Sequence, residues 1–291
     1  MRLHTFCLYG LLFAMFGLAA CGDPAASSSP ALNSDDAAYV DSMAAEHADD
    51  SAAPSGAPAA DSEGLVTARV AYHDGHTGYV AYPEAAAADL PGLLVIHEWW
   101  GLNDNVLGQA RRLARAGYRV LAVDLYEGQA AETPDGARAL MTEAMSHPDS
   151  VVANLASAAD YLRAQGAPRL GVLGWCFGGA WSLRTALALP DEIDAAVIYY
   201  GRVETDATAL AALDMPILGL FGADDQGIPA ESARAFDAAL DEVGVPHTIR
   251  IFDGADHAFA NPSGDRYQAE AAEEAWSMTT AFLAEHLGAS P

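Results

Sequence analysis

From Gly64 onward, short apolar runs alternate with stretches of helical periodicity, and this alternation constrains the fold more than any other feature. The strand-like runs lie at residues 93–97, 119–125, 170–173, 195–200, 217–221 and 247–252. Helical patterns lie at 105–116, 135–146, 150–165, 178–189, 230–243 and 267–287. Such runs, after a predicted hairpin over 65–82, indicate a mostly parallel sheet with helices on both faces. We therefore predict a single α/β domain over residues 64–291.

Residues 1–20 have the features of a secretory signal peptide. Arg2 precedes an apolar run at residues 8–20, which matches a signal-peptide core and is short for a membrane-spanning helix. The run ends in the letters LAAC, which resemble a bacterial lipoprotein box and imply cleavage after Ala20 and a lipid on Cys21. The alternative is secretion with a free N-terminal cysteine. We expect a lipid-anchored protein of the bacterial cell envelope, facing the periplasm or the exterior.

Residues 21–63 are rich in Ala, Ser, Pro, Asp and Gly. From residue 22 to residue 63 the stretch carries nine acidic residues and no basic ones. A segment of this composition buries too little apolar surface to offset the entropy of ordering. We therefore predict a disordered, acidic tether between the signal peptide and the domain.

The charge balance limits the partners of the chain. Acidic residues outnumber basic residues 40 to 14, so the net charge is -26. This excess argues against binding to nucleic acid or to anionic lipid by charge, so the lipid on Cys21 is the expected membrane contact. All basic residues are Arg, which argues against Schiff-base chemistry and P-loop phosphate binding. We expect a monomer that acts on a small molecule without a cofactor.

The candidate nucleophile is Cys176. The predicted strand 170–173 leads into the letters GWCFGG and then into a helix, which is the G-x-nucleophile-x-G turn with Cys in place of the usual Ser. Glycines allow the tight backbone of that turn, and the helix N-terminus favours a thiolate and an oxyanion. The alternative is a buried, inert cysteine, because a free cysteine is most often a small buried hydrophobic residue. The three cysteines of the chain, Cys7, Cys21 and Cys176, cannot make a disulfide framework.

Two later strand ends supply a candidate acid and a candidate base. Strand 217–221 is followed by Asp224 and Asp225, of which we choose Asp225, with Asp224 as the second choice. Strand 247–252 is followed by His257 in a loop. Each residue alone is as consistent with a turn as with a site. Their order along the chain, nucleophile then acid then base, is that of the α/β-hydrolase triad.

The end of strand 93–97 carries the letters HEWWGLN. In the α/β-hydrolase fold the oxyanion hole takes one N–H from the residue after the nucleophile, here Phe177, and another from an early strand loop, here Trp99. The pair His97-Glu98 does not form a zinc site, because Gly101 occupies the position of the second His in the zincin motif. We predict no metal. Trp99 and the adjacent Trp are equally consistent with core packing and with a substrate pocket.

Taken together, the HEWWGLN, GWCFGG and GADHAF segments and the Asp-to-Pro spacing resemble the dienelactone hydrolase family over the whole domain. The resemblance implies a Cys176–His257–Asp225 triad that hydrolyses an ester or lactone through a thioester intermediate. It also implies that Glu98 interacts with the cysteine and helps to form the thiolate.

One residue departs from the family pattern. The namesake enzyme has an Arg four residues after the catalytic His, whereas this chain has Asn261. The chain therefore lacks a cation that would hold a substrate carboxylate, and specificity for dienelactone is not carried over. A protein of another class, a lipid-anchored binding protein on an inactive hydrolase scaffold, is the alternative. A thiol sensor is disfavoured, because no resolving cysteine lies nearby in the sequence.

Overall fold

The structure is a computed structural model that describes residues 32–50, 62–85 and 89–288. All of these residues belong to one compact unit, residues 31–291. The predicted signal peptide, the lipid-bearing Cys21 and the remainder of the predicted tether lie outside the described residues.

One mixed sheet organises the domain. The described strands are β1 (Leu65–His73), β2 (His76–Pro83), β3 (Gly92–Ile96), β4 (Arg119–Ala122), β5 (Leu170–Trp175), β6 (Ala195–Tyr199), β7 (Ile217–Gly222) and β8 (His247–Phe252). They form an eight-stranded sheet in the order β1-β2-β4-β3-β5-β6-β7-β8. β2 pairs antiparallel with β1 and β4, whereas all other neighbours are parallel.

Helices connect the strands. Those in the described residues are α1 (Ser34–Glu46), α2 (Asp104–Arg115), α3 (Pro134–Ser146), α4 (Pro148–Ala164), α5 (Phe177–Ala188), α6 (Ala207–Leu210), α7 (Ala230–Val243) and α8 (Ala269–Leu287). Local signals set their ends: the Asn103 side chain caps α2, and α7 ends at Gly244 in the left-handed region. None of the described helices is long and apolar enough to cross a membrane.

The strands at the centre of the sheet form the core. Every residue of β3 to β7 is buried, which requires packing on both faces of the sheet. The apolar runs are continuous for the same reason. The predicted fold class, a mostly parallel sheet covered by helices, is therefore confirmed.

The structure differs from the prediction in the tether. Within residues 21–63, which were predicted to be disordered, α1 is a regular helix, capped by the Asn33 side chain. Its apolar residues Tyr39, Val40 and Met43 are buried against the domain.

The reason for the difference lies in distant Arg residues. Asp36 of α1 forms ion pairs with Arg184 and Arg202, the latter at 3.0 Å. Composition alone indicated that the acidic segment repels itself, but these cations belong to the folded domain and neutralise it there. The order of this segment therefore depends on residues that lie outside it.

Candidate active site

Cys176 occupies the sharp turn between β5 and α5. Its φ of 56° lies in the left-handed region, which is strained for a residue with a side chain. The flanking glycines make this turn possible: a Cβ on Gly174 would lie 2.3 Å from the Gly178 carbonyl oxygen, and a Cβ on Gly178 would lie 2.3 Å from that of Ile96. The turn holds the sulfur at the carboxyl edge of the parallel sheet.

Asp225 and His257 come together at the same edge. Asp225 follows β7 and His257 follows β8, and the Nδ1 of His257 lies 2.8 Å from Oδ2 of Asp225. The other carboxylate oxygen accepts the N–H of Ile228 at 2.7 Å. Both side chains are fully buried, whereas Asp224, the second choice for the acid, is exposed.

The proton positions follow from this contact. A carboxylate can only accept, so the N–H at Nδ1 of His257 donates a hydrogen bond to Asp225. Nε2 of His257 is then directed to the nucleophile, and it has no hydrogen-bond partner among the described residues. The sulfur of Cys176 and a ring nitrogen of His257 lie within 4.8 Å, a loose contact of the kind common before substrate binds.

The electrostatics favour a thiolate. Burial alone would raise the pKa of Cys176, but the neighbouring imidazoles of His257 and His47 lower it to about 6, from 9.0. Burial lowers the pKa of His257, whereas the charges of Cys176 and Asp225 raise it more, and the result is a pKa well above 6.5. Near neutral pH the pair therefore favours thiolate and imidazolium.

Glu98 and Trp99 lie in the loop after β3. Burial, together with the charge of Cys176, raises the pKa of Glu98 to about 7, and Asn261 donates a hydrogen bond to its carboxylate at 2.7 Å. Asn261, noted in the sequence as a departure from the family pattern, thus holds Glu98 in place. Trp99 is buried, and so is Phe177, the first residue of α5, whose N–H has no acceptor within the helix.

His97 does not take part in this cluster. Its Nδ1 lies 2.6 Å from the carbonyl oxygen of Glu98, and its Nε2 accepts the N–H of Leu125 at 3.2 Å. Both ring nitrogens are therefore used in the core, and burial lowers the pKa of His97. This arrangement agrees with its exclusion as a zinc ligand.

The sequence analysis missed His47, which follows α1. Its Nε2 lies 3.9 Å from the sulfur of Cys176, and its ring stacks on that of Trp99 with centroids 4.3 Å apart. Met43, one turn earlier, places its sulfur 3.7 Å from that of Cys176. The N-terminal segment (residues 32–50) therefore packs directly over the nucleophile.

A small cavity of about 60 Å³ opens beside these groups and is partly open to solvent. Its lining includes Cys176 and the carboxylates of Asp50, Glu98 and Asp265. The basic side chains of the lining are Arg266, which is paired with Glu46 at 3.0 Å and with Asp50 at 3.4 Å, and His47, which lies 2.6 Å from Asp50. The cavity is thus acidic, and its basic side chains are already paired with carboxylates.

The same cluster offers ligands that could hold a metal ion. Donor atoms of His47, Cys176 and His257 lie within 4.8 Å of one another, and each imidazole has a carboxylate behind it. Zinc accepts such a donor set. Each of the three side chains is equally suited to nucleophilic chemistry, in which the sulfur stays free to attack.

A mostly parallel sheet with a cysteine in a sharp turn after β5, a carboxylate after β7 and a histidine after β8 is typical of the α/β-hydrolase class of proteins. A model of the dienelactone hydrolase family matches residues 76–287. The chain therefore belongs to the dienelactone hydrolase family and is a hydrolase of that family.

Individual relatives agree with this assignment. The chain is 33% identical over 218 residues to Protein usf of Aquifex pyrophilus, covering 72% of this chain and 93% of the relative. It is 32% identical over 236 residues to a protein of Methylorubrum extorquens provisionally named carboxymethylenebutenolidase, covering 75% and 80%. A crystal structure from Klebsiella pneumoniae, provisionally named dienelactone hydrolase, is 27% identical with a TM-score of 0.69, covering 76% and 99%.

Proposed function

We propose that the protein hydrolyses uncharged esters or lactones through a thioester on Cys176. The observation that carries this proposal is the Asp225–His257 contact of 2.8 Å beside a cysteine in a strained turn. Nucleophile, base and orienting carboxylate are the parts that covalent acyl transfer requires.

Acylation begins with the thiolate of Cys176. The sulfur attacks the carbonyl carbon of the substrate, and the electron pair of the C=O bond moves to the oxygen. The N–H groups of Phe177 and Trp99 are the proposed donors to this oxyanion, and losing one such donor typically costs about 3 kcal/mol. When the tetrahedral intermediate collapses, His257 gives its proton to the leaving alkoxide. An acyl thioester on Cys176 remains.

Deacylation uses the same histidine in the reverse sense. His257, now neutral, takes a proton from water, and the hydroxide attacks the thioester carbonyl. The carboxylic acid product leaves, and the thiolate of Cys176 is regenerated beside the imidazolium. Asp225 keeps the proton on Nδ1 throughout, so that Nε2 faces the reacting atoms.

The charges of the cavity limit the substrate class. Asp50, Glu98 and Asp265 line the cavity, and Arg266 is already paired. A substrate carboxylate would meet these acidic groups, while the basic side chains of the lining, Arg266 and His47, are already paired with carboxylates. We therefore propose an uncharged ester or lactone, and not the carboxylate-bearing lactone of the family's namesake enzyme.

An inactive scaffold for binding, the alternative considered from the sequence, is not supported. Inactive scaffolds need not keep the groups of the reaction in contact. Here the Asp225 and His257 side chains keep their hydrogen bond and are fully buried at the sulfur.

The test compares Cys176→Ala with wild type on short-chain nitrophenyl esters, thioesters and lactones. We expect kcat to fall about a thousandfold or more, with the far-ultraviolet circular dichroism unchanged. Rapid quenching followed by mass spectrometry should show one acyl group on the wild-type peptide that contains Cys176. Hydrolysis at the wild-type rate by Cys176→Ala would refute the proposed nucleophile.

A further inference from the structure

His47 is a buried group at the nucleophile that takes no part in the acylation and deacylation steps. His47 is 3% exposed and belongs to the N-terminal segment, not to the sheet edge that supplies Asp225 and His257. Its Nε2 lies 3.9 Å from the Cys176 sulfur, and its Nδ1 lies 2.6 Å from Oδ2 of Asp50. Cys176 is therefore flanked by two histidines, each of which has a carboxylate on its far nitrogen.

We propose that His47, oriented by Asp50, is a further catalytic residue that takes the proton of the Cys176 thiol and holds the sulfur as a thiolate. This proposal rests on the proposed function, in which Cys176 is the nucleophile. The proton leaves Sγ and resides on Nε2 of His47. His257 keeps a separate proton for the leaving alkoxide, so no other donor or acceptor is required.

The orientation of the ring supports this role. Nδ1 of His47 lies 2.6 Å from Asp50 and 2.9 Å from a guanidinium nitrogen of Arg266. Arg266 has the Glu46 and Asp50 carboxylates as acceptors, so Nδ1 keeps its proton and donates it in a hydrogen bond to Asp50. The lone pair of neutral His47 is then on Nε2, which faces the sulfur. Stacking on Trp99 at an interplanar angle of 25° fixes the plane of the ring. Protonated His47 would then donate to Asp50 and to the thiolate at once.

The attachment of the segment fixes the position of His47. Tyr39, Val40 and Met43 bury the apolar face of α1. After the helix, Arg266 donates to the carbonyl oxygen of Glu46 at 2.7 Å and to its carboxylate at 3.0 Å. Together with the Asp36 ion pairs, these contacts hold both ends of the segment on the domain.

The charged and titratable groups around His47 come from its own segment, from the loop after β3, from the nucleophile turn and from the loop after β8. These groups are Glu46, Asp50, Glu98, Cys176, His257 and Arg266. Burial lowers the pKa of His47, but the hydrogen bond to Asp50 and the contact with Cys176 raise it further, so the net shift is upward. The protonated form of His47 is thus favoured beside the thiolate.

The role predicts a specific change in thiol reactivity. An opposite charge within about 4–6 Å shifts a pKa by roughly one unit or more. Removing His47 should therefore raise the pH at which Cys176 is half ionised by about one unit. At pH 6, close to the wild-type pKa of about 6, this corresponds to an alkylation rate about fivefold lower than in wild type, because only the thiolate reacts.

The experiment measures alkylation of Cys176 by iodoacetamide from pH 4.5 to pH 9, resolved by peptide mass spectrometry and with a chelator present. The variants are His47→Gln and Asp50→Asn in the full chain. Asp49→Asn is the matched control, because Asp49 lies in the same turn and is exposed. We expect His47→Gln and Asp50→Asn to move the profile to higher pH and Asp49→Asn to leave it unchanged.

Two outcomes overturn the proposal. The first is a profile unchanged in His47→Gln, with Asp50→Asn equal to Asp49→Asn. The second is faster alkylation at every pH without a shift, which would mean that the segment only shields the sulfur. If His47→Gln does not fold, the profile of Asp50→Asn decides by the same two criteria. Ester hydrolysis retained in Cys176→Ala would refute the proposed function instead, and the alkylation profile does not depend on that result.

Discussion

The two His–Asp pairs that flank Cys176 are alike in geometry and different in construction. His257 meets Asp225 at 2.8 Å, and His47 meets Asp50 at 2.6 Å. The first pair joins loops after two neighbouring strands, so the sheet fixes the distance between its members. The second pair lies within one turn of chain, three residues apart, and depends on the N-terminal segment staying bound.

The difference shows which pair the hydrolase fold requires. Asp225 and His257 are separated by 32 residues, and only the parallel pairing of β7 with β8 brings them together. His47 and Asp50 form a local pair, which lies at the sulfur only because α1 is bound to the domain. We infer that the first pair carries the proton transfers to the leaving group and from water, and that the second pair takes the thiol proton of the nucleophile.

The largest expected effect concerns the first pair. Asp225→Asn should reduce kcat on the order of 10⁴-fold, because an amide cannot hold the Nδ1 proton of His257 in the same way and the wrong tautomer results. The measurement is steady-state hydrolysis of a nitrophenyl ester. Asp224→Asn, an exposed neighbour, is the control and should keep wild-type activity. Equal losses in both variants would show that Asp225 does not orient the base.

The second expected effect concerns Glu98, which lies against both histidines. Its pKa is about 7 in the folded protein and 4.5 when unperturbed. Below pH 4.5 Glu98 is protonated in both the folded and the unfolded protein. As the pH rises to 7, only the unfolded protein loses this proton, so the free energy of unfolding falls by about 3 kcal/mol. In Glu98→Gln this contribution is absent.

The measurement is urea unfolding of wild type and Glu98→Gln at pH 4.5 and pH 7.5. The loss of stability between the two pH values should be about 3 kcal/mol smaller in the variant. Changes from the other titrating groups occur in both proteins and cancel in the comparison. Parallel pH dependences would mean that Glu98 ionises normally in the folded state.

The contrast between the pairs also explains what the sequence could predict. The strands were predictable because the centre of a parallel sheet is buried on both faces and is therefore continuously apolar. Cys176 and Asp225 were candidates because each follows such a strand, and His257 because it follows the last strand and completes the order of the triad. Of the two candidate acids, Asp225 is the one with a hydrogen bond to His257 in the structure.

His47 was not predictable from the same pattern. Its segment is acidic and poor in large apolar residues, and its order depends on Arg184, Arg202 and Arg266, far away in the sequence. A weak local signal did exist, since Asn33 with following Asp residues is typical of a helix start. No local signal indicates that the helix ends at the nucleophile.

A third, smaller effect is expected at Arg266, which ties the second pair to the domain. Arg266→Gln removes the ion pairs with Glu46 and Asp50 and should loosen the N-terminal segment. Loss of a charged hydrogen bond costs about 1.5 kcal/mol, which raises the equilibrium constant for detachment of the N-terminal segment roughly tenfold. Alkylation of Cys176 by a bulky maleimide should therefore accelerate about tenfold relative to iodoacetamide. Arg234→Gln, which removes an exposed pair with Glu231, should change neither rate.

The smallest effect on catalysis is expected at Cys21, which we propose as the lipid attachment site. Cys21→Ser should release the protein from the membrane fraction of expressing cells, as judged by detergent phase partitioning. It should leave kcat/KM within about twofold of wild type, because the described contacts that hold the N-terminal segment lie between Leu32 and Asp50. A larger fall in kcat/KM, together with a shifted Cys176 alkylation profile, would show that the anchor helps to position His47. The second pair would then depend on the membrane as well as on the domain.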